Sequence, residues 1–166
     1  MNADEIIKLL NLKPLPGEGG FFVESYRADE NLEVLPSRYG GARRAISTAI
    51  YYLLTPDIFS AMHRLRSDEI FHFYLGDPVE MLQLFSDGTG KIVQIGSDLN
   101  AGLRPQVVVP QGTWQGSLLM KGGRFALFGV TVAPGFEFDD FETGARKELM
   151  ELYPEHARMI QQLTRE

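Results

Sequence analysis

From Gly19 to about residue 138 the sequence runs in short stretches with a period of two, and each stretch stops at residues that turn a chain. Strand character falls at roughly 20–26, 45–54, 58–65, 69–75, 79–86, 91–95, 106–109, 114–120 and 125–133. The breaks are Pro56-Asp57, Ser67-Asp68, Gly76-Asp77-Pro78, Asp87-Gly88, Gly112, Gly122-Gly123 and Pro134-Gly135. Strands this closely spaced, with no helix between them, leave no room for parallel βαβ units. They predict a closed antiparallel sandwich or barrel.

Helical spacing is confined to the two ends. Ile6, Ile7, Leu9 and Leu10 share one side of a short helix over 4–10, with Asn2 or Asp4 as its cap, and Pro14 and Pro16 prevent its continuation. Leu149, Leu152, Met159, Ile160 and Leu163 restore the helical period over 144–165, where Pro154 splits the segment. Residues 28–44 mix Asp29, Glu30 and Glu33 with Arg38, Arg43 and Arg44 around two glycines. That composition predicts a solvated, mobile loop in preference to an arginine clamp for a phosphate. A length of 166 residues suits a single domain.

Charge and cysteine content exclude several classes. Sixteen Lys and Arg against 22 Asp and Glu give a net charge of -6, which repels a phosphate backbone, so nucleic acid is not an expected partner. The absence of cysteine removes disulfides, thiolate metal sites and a cysteine nucleophile. The acidic N-terminus is not a secretory signal, and the longest apolar runs, near Ile50 to Leu54 and Val107 to Pro110, are far too short to cross a bilayer. A cytoplasmic protein with no membrane partner is the expectation.

Two stretches carry residues capable of chemistry. In Ser60 to Gly76, alternation puts His63 and Leu65 on one strand face and Met62 and Arg64 on the other. On the next strand Glu69, Phe71, Phe73 and Leu75 share a face opposite Ile70, His72 and Tyr74. Both faces of that strand are largely apolar, so one must line a barrel and the other must be covered by a further layer or a second subunit. In Pro105 to Gly116 an apolar strand enters a Pro110-Gln-Gly112 turn, and Gln115 follows three residues later. Trp114 alternates away from Gln115, toward the outside of the barrel or a subunit contact.

These stretches resemble the two motifs of the cupin superfamily. Glu69 to Gly76 keeps the spacing that ends the first motif, and Pro110 to Gly112 keeps that of the second. His63 matches the first histidine, while Leu65 and Gln115 stand where the other two would be. Glu18-Gly-Gly-Phe-Phe-Val-Glu-Ser-Tyr-Arg27, Ser47-Thr-Ala-Ile-Tyr51, Glu69-Ile-Phe-His-Phe-Tyr, Gly112-Thr-Trp-Gln-Gly116 and Ala133-Pro-Gly-Phe-Glu-Phe138 resemble, more closely, one small cupin family that has long carried a domain-of-unknown-function label. The resemblance implies an all-β, cupin-type double-stranded β-helix (jelly-roll) barrel with a short N-terminal helix and a C-terminal helical segment. It also implies a homodimer.

Cupin enzymes commonly hold a divalent metal with three histidines and a carboxylate. No cofactor is expected here, because the matching set shrinks to His63, Glu69 and Gln115; a divalent metal, were one held, would fall to those three. The first functional reading is a small-molecule cupin acting as a metal-free isomerase or epimerase on a sugar-like or carbonyl-containing metabolite. His63 and Glu69 are its acid–base candidates, Tyr51 a second proton donor, and Phe71, Phe73 and Gln115 its ligand-binding residues. The alternatives are a non-catalytic ligand-binding or sensing module, a metal-dependent cupin enzyme, and a His63–Glu69 pair that only fixes strand register.

Overall fold

The computed structural model describes residues 1–165. A first helix, α1 (Ala3–Leu10), starts at a reciprocal cap in which the Asn2 side chain accepts from the Glu5 N–H and the Glu5 carboxylate accepts from the Asn2 N–H. Thirteen strands follow: β1 (Lys13–Pro14), β2 (Phe21–Arg27), β3 (Asn31–Leu32), β4 (Arg44–Ala45), β5 (Thr48–Leu54), β6 (Ser60–Arg64), β7 (Asp68–Gly76), β8 (Val79–Leu84), β9 (Gly90–Ile95), β10 (Gln106–Val109), β11 (Trp114–Leu119), β12 (Ala126–Ala133) and β13 (Glu142–Thr143). Two helices, α2 (Arg146–Leu152) and α3 (Ala157–Gln162), close the chain on either side of Pro154.

The strands form the closed antiparallel arrangement that their spacing predicts, and it is the all-β jelly roll that the resemblance implies. One sheet has the order β1-β2-β5-β12-β7-β10, the other β13-β6-β11-β8-β9, and β3 pairs with β4 alone. Side chains alternate between the two faces of each sheet. The inner faces meet in a core that joins Tyr52, Leu54, Phe71 and Phe128 of the first sheet to Val79, Met81 and Leu119 of the second. The outer face of the second sheet is covered by α2 and α3 through Met62, Leu82, Leu84, Leu149 and Ile160. Half of the first sheet's outer face is covered by α1 and the turn after it, through Ile6 and Leu12 on Leu53 and Leu127.

The other half lies open. Tyr74 and Val108, from neighbouring strands β7 and β10, are exposed there beside the half-buried Ile70 and His72. Trp114 packs outside the barrel against the C-terminal helices, with the Arg64 guanidinium 4.4 Å from its ring centre. Among the described residues no helix is long and apolar enough to cross a membrane.

The 28–44 segment differs from the expected mobile loop. β3 and β4 pair within it, Tyr39 is buried, and Arg44 is 4% exposed. The reason is a partner far away in sequence: Arg44 donates two hydrogen bonds of 2.7 Å to the Asp140 carboxylate. Arg38 bonds the Arg66 carbonyl, and Arg43 makes an exposed pair with Glu33 at 3.5 Å.

Candidate active site

His63 and Gln115 face one another across the β6–β11 ladder. Their side chains point into the barrel, and the Gln115 amide nitrogen lies 2.7 Å from His63 Nε2. The other ring nitrogen, Nδ1, lies 2.7 Å from the Ala61 carbonyl oxygen, which can only accept. Nδ1 therefore carries the hydrogen, and Nε2 offers its lone pair to the amide. The ring is stacked on Phe141, centre to centre 4.9 Å at 24°. Both nitrogens are thus engaged by the protein.

Glu69 comes from the facing sheet, where β7 lies between β12 and β10. Its Oε2 accepts the second amide hydrogen of Gln115 at 3.1 Å and lies 3.9 Å from His63 Nε2. Burial raises the Glu69 carboxyl from its ordinary 4.5 to about 7, helped by the neighbouring Glu18 carboxylate and opposed by the Gln115 hydrogen bond. A carboxyl poised near neutrality can both take and give a proton in that range.

Glu18 is the member of the group that sequence reading misses. Its Oε1 accepts from the Ser60 hydroxyl at 2.8 Å, and its Oε2 lies 3.7 Å from His63 Nε2. The Glu18-Gly-Gly run was the available signal. Gly19 and Gly20 both have positive φ, and a Cβ on Gly20 would lie 2.6 Å from the Tyr52 hydroxyl. The turn can press against the barrel only with glycine there, and that approach brings Glu18 to the site.

These groups border a cavity of about 190 Å³. For scale, a cavity of about 150 Å³ holds benzene, so the space has the size of a small organic molecule. Three strands change character at one level of the barrel. Thr48 and Ile50 of β5, Val130 and Val132 of β12 and Glu69 of β7 border the cavity, whereas Tyr52, Phe128 and Phe71, further along the same strands, fill the core. A strap over 136–143 completes the wall with Phe136, Phe138 and Phe141 and ends in β13, which pairs Thr143 with His63.

Several expected residues lie elsewhere. Phe71 and Phe73 do not border the cavity; their rings pack edge-on against Phe128 at 6.0 and 5.7 Å, because the barrel is already filled at their level. Gln115 lies behind the wall, fully buried, and reaches the site only through His63 and Glu69. Tyr51 is not in the site at all. Strand alternation turns it to the outer face, among the apolar residues beside α1, and its inward neighbour Tyr52 donates to the Gly19 carbonyl at 2.9 Å.

A jelly-roll barrel that gathers polar residues at one end of its interior is the architecture of a cupin. The chain matches the family described as Cupin superfamily (DUF985) over residues 4–144, and it belongs to that family. The uncharacterized protein YML079W of Saccharomyces cerevisiae is 33% identical over 132 residues, a match that spans 74% of this chain and 66% of the yeast protein. A hypothetical protein from Leishmania major superposes with a TM-score of 0.90 at 33% identity, covering 100% of both chains. Protein SO0799 from Shewanella oneidensis gives 0.86 at 39% identity, covering 99% of this chain and 98% of its own. Oxalate decarboxylase from Bacillus subtilis gives 0.54 at 12% identity over 92% of this chain and 37% of that one, a likeness of fold alone.

The residues present do not fit the metal that many cupins hold. Leu65 brings hydrocarbon to the cavity wall, and Gln115 turns its amide nitrogen, a donor, toward His63 and Glu69. Among the described residues no three His, Asp or Glu side chains are arranged to hold an ion.

Proposed function

We propose that this cupin binds a compact small molecule and moves a proton on a carbon next to a carbonyl group, as a metal-independent isomerase. One observation carries the reading: the Glu69 and Glu18 carboxylates each lie within 4 Å of His63 Nε2, and all three residues border one cavity. Glu69 is the acid–base group, because its other oxygen, Oε1, accepts no hydrogen bond among the described residues, whereas both nitrogens of His63 are occupied. The carboxylate takes the proton and, as the carboxylic acid, returns it. His63 and Gln115 hold Glu69 in place. Tyr51 on the outer face supplies no second donor, so a single group serving both steps fits better than two-sided epimerisation.

A non-catalytic binding module is the second reading, favoured by the saturation of His63 and the scarcity of free donors for a developing oxyanion. Solvent exchange separates the two. With compact aldehydes and ketones in D2O, the enzyme reading expects deuterium to enter the carbon next to the carbonyl, followed by NMR. Glu69→Gln is expected to slow it by about a hundredfold or more. Exchange that is absent, or as fast in the variant, leaves only a binding protein.

We also propose that the chain pairs with a second copy across the open half of the first sheet. The Tyr74–Val108 surface there has no covering layer within the chain.

A further inference from the structure

The polar groups around the cavity are mostly acceptors. Glu18, Glu24, Glu69 and Glu137 border it, against the one guanidinium of Arg27. That guanidinium is engaged: Nε and Nη2 bond the two oxygens of Glu24, Nη1 bonds Glu137, and Nη2 also bonds the Phe136 carbonyl. Arg27 thus keeps a single N–H for anything new. His63 donates to Ala61, and both amide hydrogens of Gln115 are directed at His63 and Glu69. Glu69 is 6% exposed, yet its Oε1 has no donor among the described residues.

A phosphate or carboxylate placed here would meet carboxylates and find almost no free donor. A cation would meet the reverse: an unpaired carboxylate oxygen, a surplus of negative charge, and the rings of Phe22, Phe136, Phe138 and Phe141 on the walls. We propose that the occupant carries a protonated amine: a compact carbonyl compound bearing an ammonium group and no phosphate or carboxylate. The carbonyl in that description rests on the isomerase reading; the charge preference rests on the cavity alone. A bound ammonium also favours ionised Glu69, the form able to accept a proton, and so binding releases protons near neutrality. Glu18, His63, Glu24, Arg27 and Glu137 are the other charged or titratable groups facing that space.

Three probes of nearly one shape test the charge preference: tert-butylammonium, tert-butanol and pivalate, titrated into the full chain at pH 8 and followed by amide NMR shifts. The expected result is that tert-butylammonium binds at least about tenfold more tightly than tert-butanol, with pivalate weakest. Glu69→Gln is expected to shrink the ammonium advantage while leaving tert-butanol binding in place. At pH 7, calorimetry in two buffers of different ionisation enthalpy is expected to show release of up to about half a proton per ammonium bound. Pivalate or tert-butanol binding as tightly as the ammonium, or no ammonium binding at all, overturns the inference. Failure here is distinguishable from failure of the isomerase reading. Pivalate can win while deuterium exchange still depends on Glu69, and the ammonium can win where no carbonyl compound exchanges.

Discussion

Arg44 meets Asp140 through two hydrogen bonds of 2.7 Å, with both side chains almost completely buried. The pair ties the 28–44 segment to the strap whose next residue, Phe141, stacks on His63. Removing one partner leaves a buried charge, which costs about 3–5 kcal/mol. Asp140→Ala is therefore expected to lose about that much stability in urea unfolding. The double variant Arg44→Met with Asp140→Leu is expected to recover most of it. Equal losses in the single and double variants would contradict the account.

Glu69 gives a pH signature. Its carboxyl is raised from 4.5 to about 7 in the folded chain, so the folded state binds the proton more tightly than the unfolded state does. Its contribution to stability is full below about pH 4.5 and declines as pH rises through about 7, a change of about 3 kcal/mol. Glu69→Gln removes that slope. Between pH 4.5 and 8 the variant is expected to gain about 3 kcal/mol on the native chain in urea unfolding, and parallel profiles would count against a raised Glu69.

Much of this was legible in advance, and the rest was hidden for identifiable reasons. The long strands could be read because polar turn residues bracket each period-two run, and His63, Glu69 and Gln115 came together because alternation fixed their faces. Ile50-Tyr-Tyr-Leu-Leu54 is apolar on both faces, so its phase was undetermined and Tyr51 stood in for Tyr52. Alternation gives a face but no depth, which is why Phe71 and Phe73 shared Glu69's side without sharing its cavity. Arg44 and Asp140 lie 96 residues apart, and nothing local distinguishes such a pair from solvated charges. Glu18 reaches the site from a turn, where no periodicity applies.

The poor donor set for a metal can be repaired. Gln115 touches both His63 and Glu69, and Leu65 borders the same cavity. Leu65→His with Gln115→His supplies two further imidazoles. The untagged double variant is expected to keep about one Co(II) or Ni(II) per chain after desalting, by metal analysis, where the native chain keeps none. Equal uptake by both proteins would show that these positions do not decide metal binding.

The open half of the first sheet makes its own prediction. Val108 and Tyr74 are 49% and 52% exposed. If a second copy covers them, Val108→Asp places a charge in a buried interface and is expected to weaken the dimer by several kcal/mol. Light scattering is expected to give twice the chain mass for the native protein and a shift toward the single chain mass for the variant. A native protein that stays monomeric at high concentration would dismiss the dimer.

Two parts of the cavity wall carry different burdens. The barrel strands contribute Glu69, Ile50, Val130 and Val132 and are bound into the central core. The strap contributes Phe136, Glu137, Phe138 and Phe141, none of which belongs to that core. The strap's share of the wall can therefore be exchanged without disturbing the residues that keep the chain folded. With Glu69 anchored in the barrel, a handful of changes in one short segment is enough to give the same scaffold a new clientele, in natural divergence or in the laboratory.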